Sequence, residues 1–164
     1  MKALIVCKSY HHGNTRKVAE TIGEVLNAEI VKPGEKPSSS IRDYDLLGLG
    51  SGIYWARFHG DIFDSVENLP EVEGKKAFIF STSGMRKVPI INGFGGGIKD
   101  KLLEKGFEII GEFSCRGYDT FFLFKLVGGI QKGRPNEEDL RGAKKFAERM
   151  SERAETDSKN EREP

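Results

Sequence analysis

The residues of this chain best suited to hold an anion are Ser9-Tyr10-His11-His12-Gly13-Asn14-Thr15, a polar run set between two apolar ones. Before it, Lys2-Ala3-Leu4-Ile5-Val6-Cys7 reads as a buried strand. After it, Val18, Ile22, Val25 and Leu26 recur at helical spacing between Thr15 and Asn27. A glycine-containing turn from a strand into a helix start suits a phosphate. The first amides of a helix lack intrahelical acceptors, and the helix dipole favours negative charge beside them. Gly13 lets the backbone approach the anion closely, and Asn14 or Thr15 can add side-chain donors. His11 and His12 are adjacent and point in different directions, with His59 the remaining imidazole, so no metal site is expected. An imidazolium near a phosphate is the better use of them.

A second stretch, Ser51-Gly52-Ile53-Tyr54-Trp55-Ala56-Arg57-Phe58-His59, holds the single tryptophan beside a tyrosine. Read as a loop, it offers flat partners to a planar ring, and stacked aromatics contribute about 0.5–1.5 kcal/mol beyond burial. The competing reading packs Trp55 on the sheet edge as an extension of the core. A third stretch, Ser81-Thr82-Ser83-Gly84, follows another apolar run and offers amides and hydroxyls to a polar ligand edge. Gly48-Leu49-Gly50-Ser51-Gly52 superficially matches a dinucleotide loop, but no helix starts directly after it and no acidic residue ends a second strand. Ser9, Ser51 and Ser81 lack a Gly-x-Ser-x-Gly setting, so hydrolase chemistry is not expected and no catalytic residue is assigned. Cys7 and Cys115 form no Cys-x-x-Cys pair and sit in apolar segments, which predicts buried, inert thiols.

The elements that must position these loops alternate along the chain. Strands are expected at Glu29–Lys32, Asp45–Gly50, Lys76–Phe80 and Phe107–Ser114, with a surface turn from Pro33 through the serines Ser38 to Ser40. Ile62, Phe63, Val66 and Leu69 mark a helix stopped by Pro70. Ile98, Leu102 and Leu103 mark another, with Gly106 as its C-terminal cap. The last helix starts after Asn136, an N-cap, with Glu137, Glu138 and Asp139 in its first turn and Leu140, Ala143, Phe146, Ala147 and Met150 as its buried stripe. Near-continuous apolar strands alternating with helices predict an α/β fold, a parallel sheet covered on both faces.

The chain has 164 residues, with 26 Lys plus Arg against 25 Asp plus Glu and a formal net charge of +1. One domain over 1–155 and a flexible polar tail over 156–164 are expected. The charge balance argues against nucleic acid or a membrane as partner. Neither a signal peptide nor a membrane span is visible, and with no disulfide framework the expected location is cytoplasmic.

Gly13-Asn14-Thr15 resembles the phosphate loop of flavodoxins, and the likeness runs from Lys2 to about Met150. It implies a flavodoxin-like doubly wound five-stranded parallel sheet of order 2-1-3-4-5, with ligands at the switch point between the first and third strands. It also implies flavin mononucleotide (FMN) as cofactor. The resemblance would place Ser9, Tyr10, His11, His12, Gly13, Asn14 and Thr15 at the phosphate, Ser51, Gly52, Ile53, Tyr54 and Trp55 against the flavin face, and Ser81, Thr82, Ser83 and Gly84 at the pyrimidine edge. The chain departs from the family in carrying Tyr10, His11 and His12 where small hydroxyl residues are usual, and in lacking the usual acidic charge. Arg57, His59 and Arg86 near the flavin would favour the reduced anion and raise the second-electron potential.

The implied function is electron transfer through a non-covalently bound flavin, with a redox partner protein or a small-molecule donor or acceptor. The alternative is an FMN-dependent NAD(P)H or quinone reductase, with the 115–135 segment as a lid. That segment is too long for an ordinary connection and too rich in phenylalanine for disorder. It reads either as a cover over the flavin or as the contact of a homodimer. A non-redox phosphate-binding module has no need of the aromatic pair.

Overall fold

The computed structural model describes residues 1–10, 12–54, 57–84, 96–118 and 130–160. Its elements run β1 (Ala3–Lys8), α1 (Asn14–Leu26), β2 (Glu29–Val31), a 3-10 turn (Ser38–Asp43), β3 (Leu46–Tyr54), β4 (Arg57–Phe58), α2 (Gly60–Glu67), β5 (Lys75–Ser83), α3 (Gly96–Glu104), β6 (Phe107–Arg116) and α4 (Glu137–Asn160). The sheet order is β2-β1-β3-β5-β6, with every neighbouring pair parallel. β4 lies off this path as a two-residue antiparallel partner of β3. With β4 set aside, the order is the 2-1-3-4-5 expected from the resemblance.

Strand alternation divides the core between the two faces. Ile5, Phe78 and Phe80 point to one side, where they meet Val18 and Ile22 of α1 and Phe146 and Met150 of α4. Leu4, Leu47, Leu49 and Ile79 point to the other, against Ile62 and Val66 of α2 and Ile98 and Leu102 of α3. Each such fully buried side chain contributes about 1.5–3 kcal/mol relative to exposure. The Phe146 ring meets Phe78 edge-on at 5.7 Å and lies 5.5 Å from Phe113. Gly48 and Gly50 make room for this layer, since a Cβ there would stand 2.4 Å from the Phe78 ring and 2.1 Å from the Phe80 ring. The glycine-rich end of β3 is therefore a packing feature of the sheet.

Several boundaries differ from the sequence reading. Ser51–Tyr54 continue β3, and the chain then turns back into β4, where Ile53 pairs Phe58 and Tyr54 pairs Arg57. Ser81–Ser83 likewise continue β5, held by Ser51 and Gly52 on one side and Ser114–Arg116 on the other. Ladders on both flanks extend a central strand through residues that alone read as loop. α3 buries Ile98 and Leu102, but Leu103 is 56 % exposed. Gly106, at φ +83, closes this helix as its C-terminal glycine. α4 is helical to Asn160, beyond Thr156. Among the described residues no helix is long and apolar enough to cross a membrane.

Candidate functional site

The carboxyl ends of β1, β3 and β5 bring the first, second and third stretches to one rim of the sheet, because Lys8 pairs Ser51 and Ser51 pairs Ser81 in register. Thr15 Oγ1 and Thr82 Oγ1 share a buried hydrogen bond of 2.8 Å across this rim. The polar run of the first stretch and the hydroxyl strand end of the third are thus in direct contact.

At the start of α1, Gly13 occupies the N-cap position at φ +67, and no side chain caps the helix. A residue with a Cβ is disfavoured in that conformation. No acidic residue lies in the first turn. Beside it, Ser9 Oγ is buried without a hydrogen-bond partner among the described residues. A buried hydroxyl left unpaired costs about 1–3 kcal/mol, so an acceptor brought to this spot would recover that energy. Uncapped amides, a buried hydroxyl and a first turn without carboxylates together fit a phosphate group.

Both side chains that the sequence offered as extra donors are engaged elsewhere. Thr15 is bound to Thr82, and Asn14 Nδ2 donates to the Tyr118 carbonyl at 2.7 Å. Ser51 is fully buried, donating to the Gly52 carbonyl at 2.6 Å and accepting from the His59 amide at 3.0 Å. Its hydroxyl holds the β3–β4 hairpin. His59 Nδ1 accepts from the Asp61 amide at 3.2 Å and caps α2. Tyr10 is 67 % exposed, and its ring lies near-parallel to that of His59 at 6.3 Å. The pair forms an aromatic element at this rim that the sequence reading did not join.

Lys8 Nζ pairs with Asp61 at 2.5 Å, and this contact, foremost, holds the Asp61 carboxyl below its usual range. Burial pushes the thiols of Cys7 and Cys115 up to about 12, so both are protonated at neutral pH, as the apolar setting predicted. Arg57, on which part of the raised-potential expectation rests, is exposed, where water and salt screen its charge. Gly52 and Gly84 are buried at the rim, while His11, Trp55 and Arg86 lie outside the described residues.

A fourth segment, which the sequence reading did not assign to the phosphate, completes the rim. The Gly117 amide donates to the Ser83 carbonyl at 3.0 Å, and the Tyr118 ring lies 4.4 Å from that of His12. The available signal was their place just past the end of β6, at the same rim as the other loops.

Residues 4–112 match the flavodoxin domain family. The chain belongs to it. At 49% identity over 148 residues it also matches an uncharacterized protein of Methanocaldococcus jannaschii, covering 90% of this chain and 96% of that one. Among solved structures, oxidised flavodoxin 2 from Bacillus cereus superposes with a TM-score of 0.66 at 21% identity, over 93% of this chain and 99% of that one. Rubredoxin oxygen:oxidoreductase from Desulfovibrio gigas superposes at 0.71 and 13% identity, over 94% of this chain but 36% of that one. At such identities the structural likeness speaks for the flavodoxin-like fold alone. The fold family implies a flavin cofactor.

Proposed function

We infer that this flavodoxin-like protein binds FMN non-covalently at the rim of β1, β3 and β5 and serves in electron transfer. The observation that carries the reading is the α1 start: an uncapped helix N-terminus beside a buried Ser9 hydroxyl that has no partner among the described residues. Ser9 Oγ and the amides that follow Gly13 would hold the phosphate. Tyr10 and His59, with Tyr54 at the end of β3 and Trp55 next in the sequence, are the aromatic candidates for the ring system. The end of β5, from Ser81 to Gly84, would offer backbone donors and acceptors to its polar edge. Bound FMN supplies one- and two-electron redox chemistry. The chain's own part is to hold the phosphate, orient the ring and limit water at one face. Neither thiol is set to take part, since both are held protonated by burial.

Purified protein should be yellow, or its apo form should quench FMN fluorescence on titration, with the flavin released by acid precipitation. A colourless protein that leaves FMN fluorescence unchanged would overturn the assignment. Steady-state assays with NAD(P)H and a quinone separate a carrier from a reductase. A carrier shows little turnover by itself, and sustained quinone reduction would replace electron transfer with enzymatic reduction.

A further inference from the structure

Asn14 and Thr15 carry the most specific side chains of the phosphate loop, yet both are committed to other segments. Thr15 ties the loop to β5. Asn14 ties it to Tyr118, 104 positions away in the chain. Gly117, just before, is buried and donates its amide to the Ser83 carbonyl at 3.0 Å. A Cβ at position 117 would stand 2.8 Å from Asn14 Nδ2 and 3.1 Å from its Cγ, so the close approach requires glycine. The Tyr118 ring lies 4.4 Å from that of His12, which holds φ +55, a backbone state that costs a non-glycine residue about 1–2 kcal/mol. Tyr118 is itself anchored, since its amide donates to the Arg134 carbonyl at 3.0 Å. Arg134 Nη1 in turn lies 2.8 Å from both Asp139 oxygens at the capped start of α4.

We propose that Gly117 and Tyr118 form a latch that holds His12–Thr15 in the phosphate-receiving shape, and so set the preference for a phosphorylated flavin over the same ring without phosphate. The latch rests on the FMN reading above and names what fixes its selectivity. Asn14 and His12 are its contacts in the loop, and the Gly117 amide fixes it to the Ser83 carbonyl. Without them the loop would have to be ordered when the phosphate arrives, at about 1–2 kcal/mol per residue fixed. With them that cost is met in folding, and the saving appears as affinity for FMN. Riboflavin has the ring but no phosphate, so it gains nothing from a shaped loop. Gly117 and Tyr118 are positioning residues, acting through Asn14 and His12.

The test is a pair of fluorescence titrations, FMN and riboflavin, on apo wild type, Gly117→Ala, Tyr118→Ala and Tyr118→Phe, with the unfolding midpoint of each recorded by circular dichroism. Gly117→Ala should weaken FMN by about tenfold while leaving riboflavin affinity unchanged. Tyr118→Ala should do the same to a lesser degree, and Tyr118→Phe, which keeps ring and carbonyl, should retain the wild-type ratio. Should Gly117→Ala fail to fold, the Tyr118 pair carries the test. An unchanged FMN-to-riboflavin ratio in folded Gly117→Ala or Tyr118→Ala, or equal losses for both flavins, overturns the latch while leaving FMN binding intact. A wild type that binds neither flavin overturns the FMN reading and the latch with it.

Discussion

At the start of α4, Asn136 Oδ1 accepts the Asp139 amide at 3.1 Å while Asp139 Oδ2 accepts the Asn136 amide at 2.9 Å. Glu137, Glu138 and Asp139 add carboxylates where the dipole favours them. At the start of α1 none of this is present: Gly13 has no side chain to cap with, the first turn has no acid, and the nearby Ser9 hydroxyl is idle. One helix start meets its own electrostatic demand from within the chain, and the other leaves it open at the rim where the three strand ends converge. Local stability is given up where a ligand is expected to supply it, and kept where none is.

The sharpest way to break this contrast is to remove a polar group from each end. Asp139→Ala should lower stability by about 1–2 kcal/mol in urea unfolding, because it removes a cap, and it leaves Arg134 Nη1 with the Asn136 oxygen at 3.3 Å. Ser9→Ala should leave the apo protein as stable as wild type or slightly more so, since it deletes an unpaired hydroxyl. The same change should weaken FMN at least about tenfold, the value of a hydrogen bond to a charged group. Equal destabilisation by the two variants would show that the α1 start is an ordinary cap.

A smaller effect is expected from Gly13→Ala. Nothing lies within 4 Å of the added Cβ, so its cost of about 1 kcal/mol comes from φ +67 alone. Calorimetry on the apo protein checks it. The smallest effect belongs to α2, whose cap resembles that of α4. The Asp61 carboxyl is held below its usual 3.8, chiefly by the hydrogen bond from Lys8. Its contribution is therefore complete at neutral pH, is kept down to about that value and is lost as pH falls further through the lowered pKa. Asp61 is half-exposed, so solvent keeps the contribution small. Asp61→Asn should flatten that acid-side loss in pH-dependent melting. It should also free the Lys8 charge beside Ser9, tightening FMN at low salt and less so at high salt.

The two helix starts also show what was legible in the sequence. Asn136 and Asp139 are three positions apart, and a capping pattern that local can be read directly. The Gly13 turn after an apolar strand was equally local. The role of Asn14 was not, because its side chain chooses between a phosphate and the Tyr118 carbonyl, and that carbonyl arrives from the far edge of the sheet. Ser51–Tyr54 and Ser81–Ser83 read as loops because Ser51, Gly52, Ser81 and Ser83 carry little strand preference. Neighbouring strands hold them extended. Leu103 looked like part of a buried stripe, yet among the described residues its side chain is exposed.

The amino-acid order alone determined the alternation of strand and helix, the two apolar faces of the sheet and the polar turn at its first strand, since these follow from periodicity and from glycine at a left-handed position. Tertiary structure decided which polar atoms remain available for a ligand. Thr15 and Asn14 are each taken by a partner distant along the chain, Ser51 is taken within its own hairpin, and Ser9 has no partner among the described residues. A hydrogen bond is settled by what stands within about 3 Å of an atom, and only the folded sheet sets that.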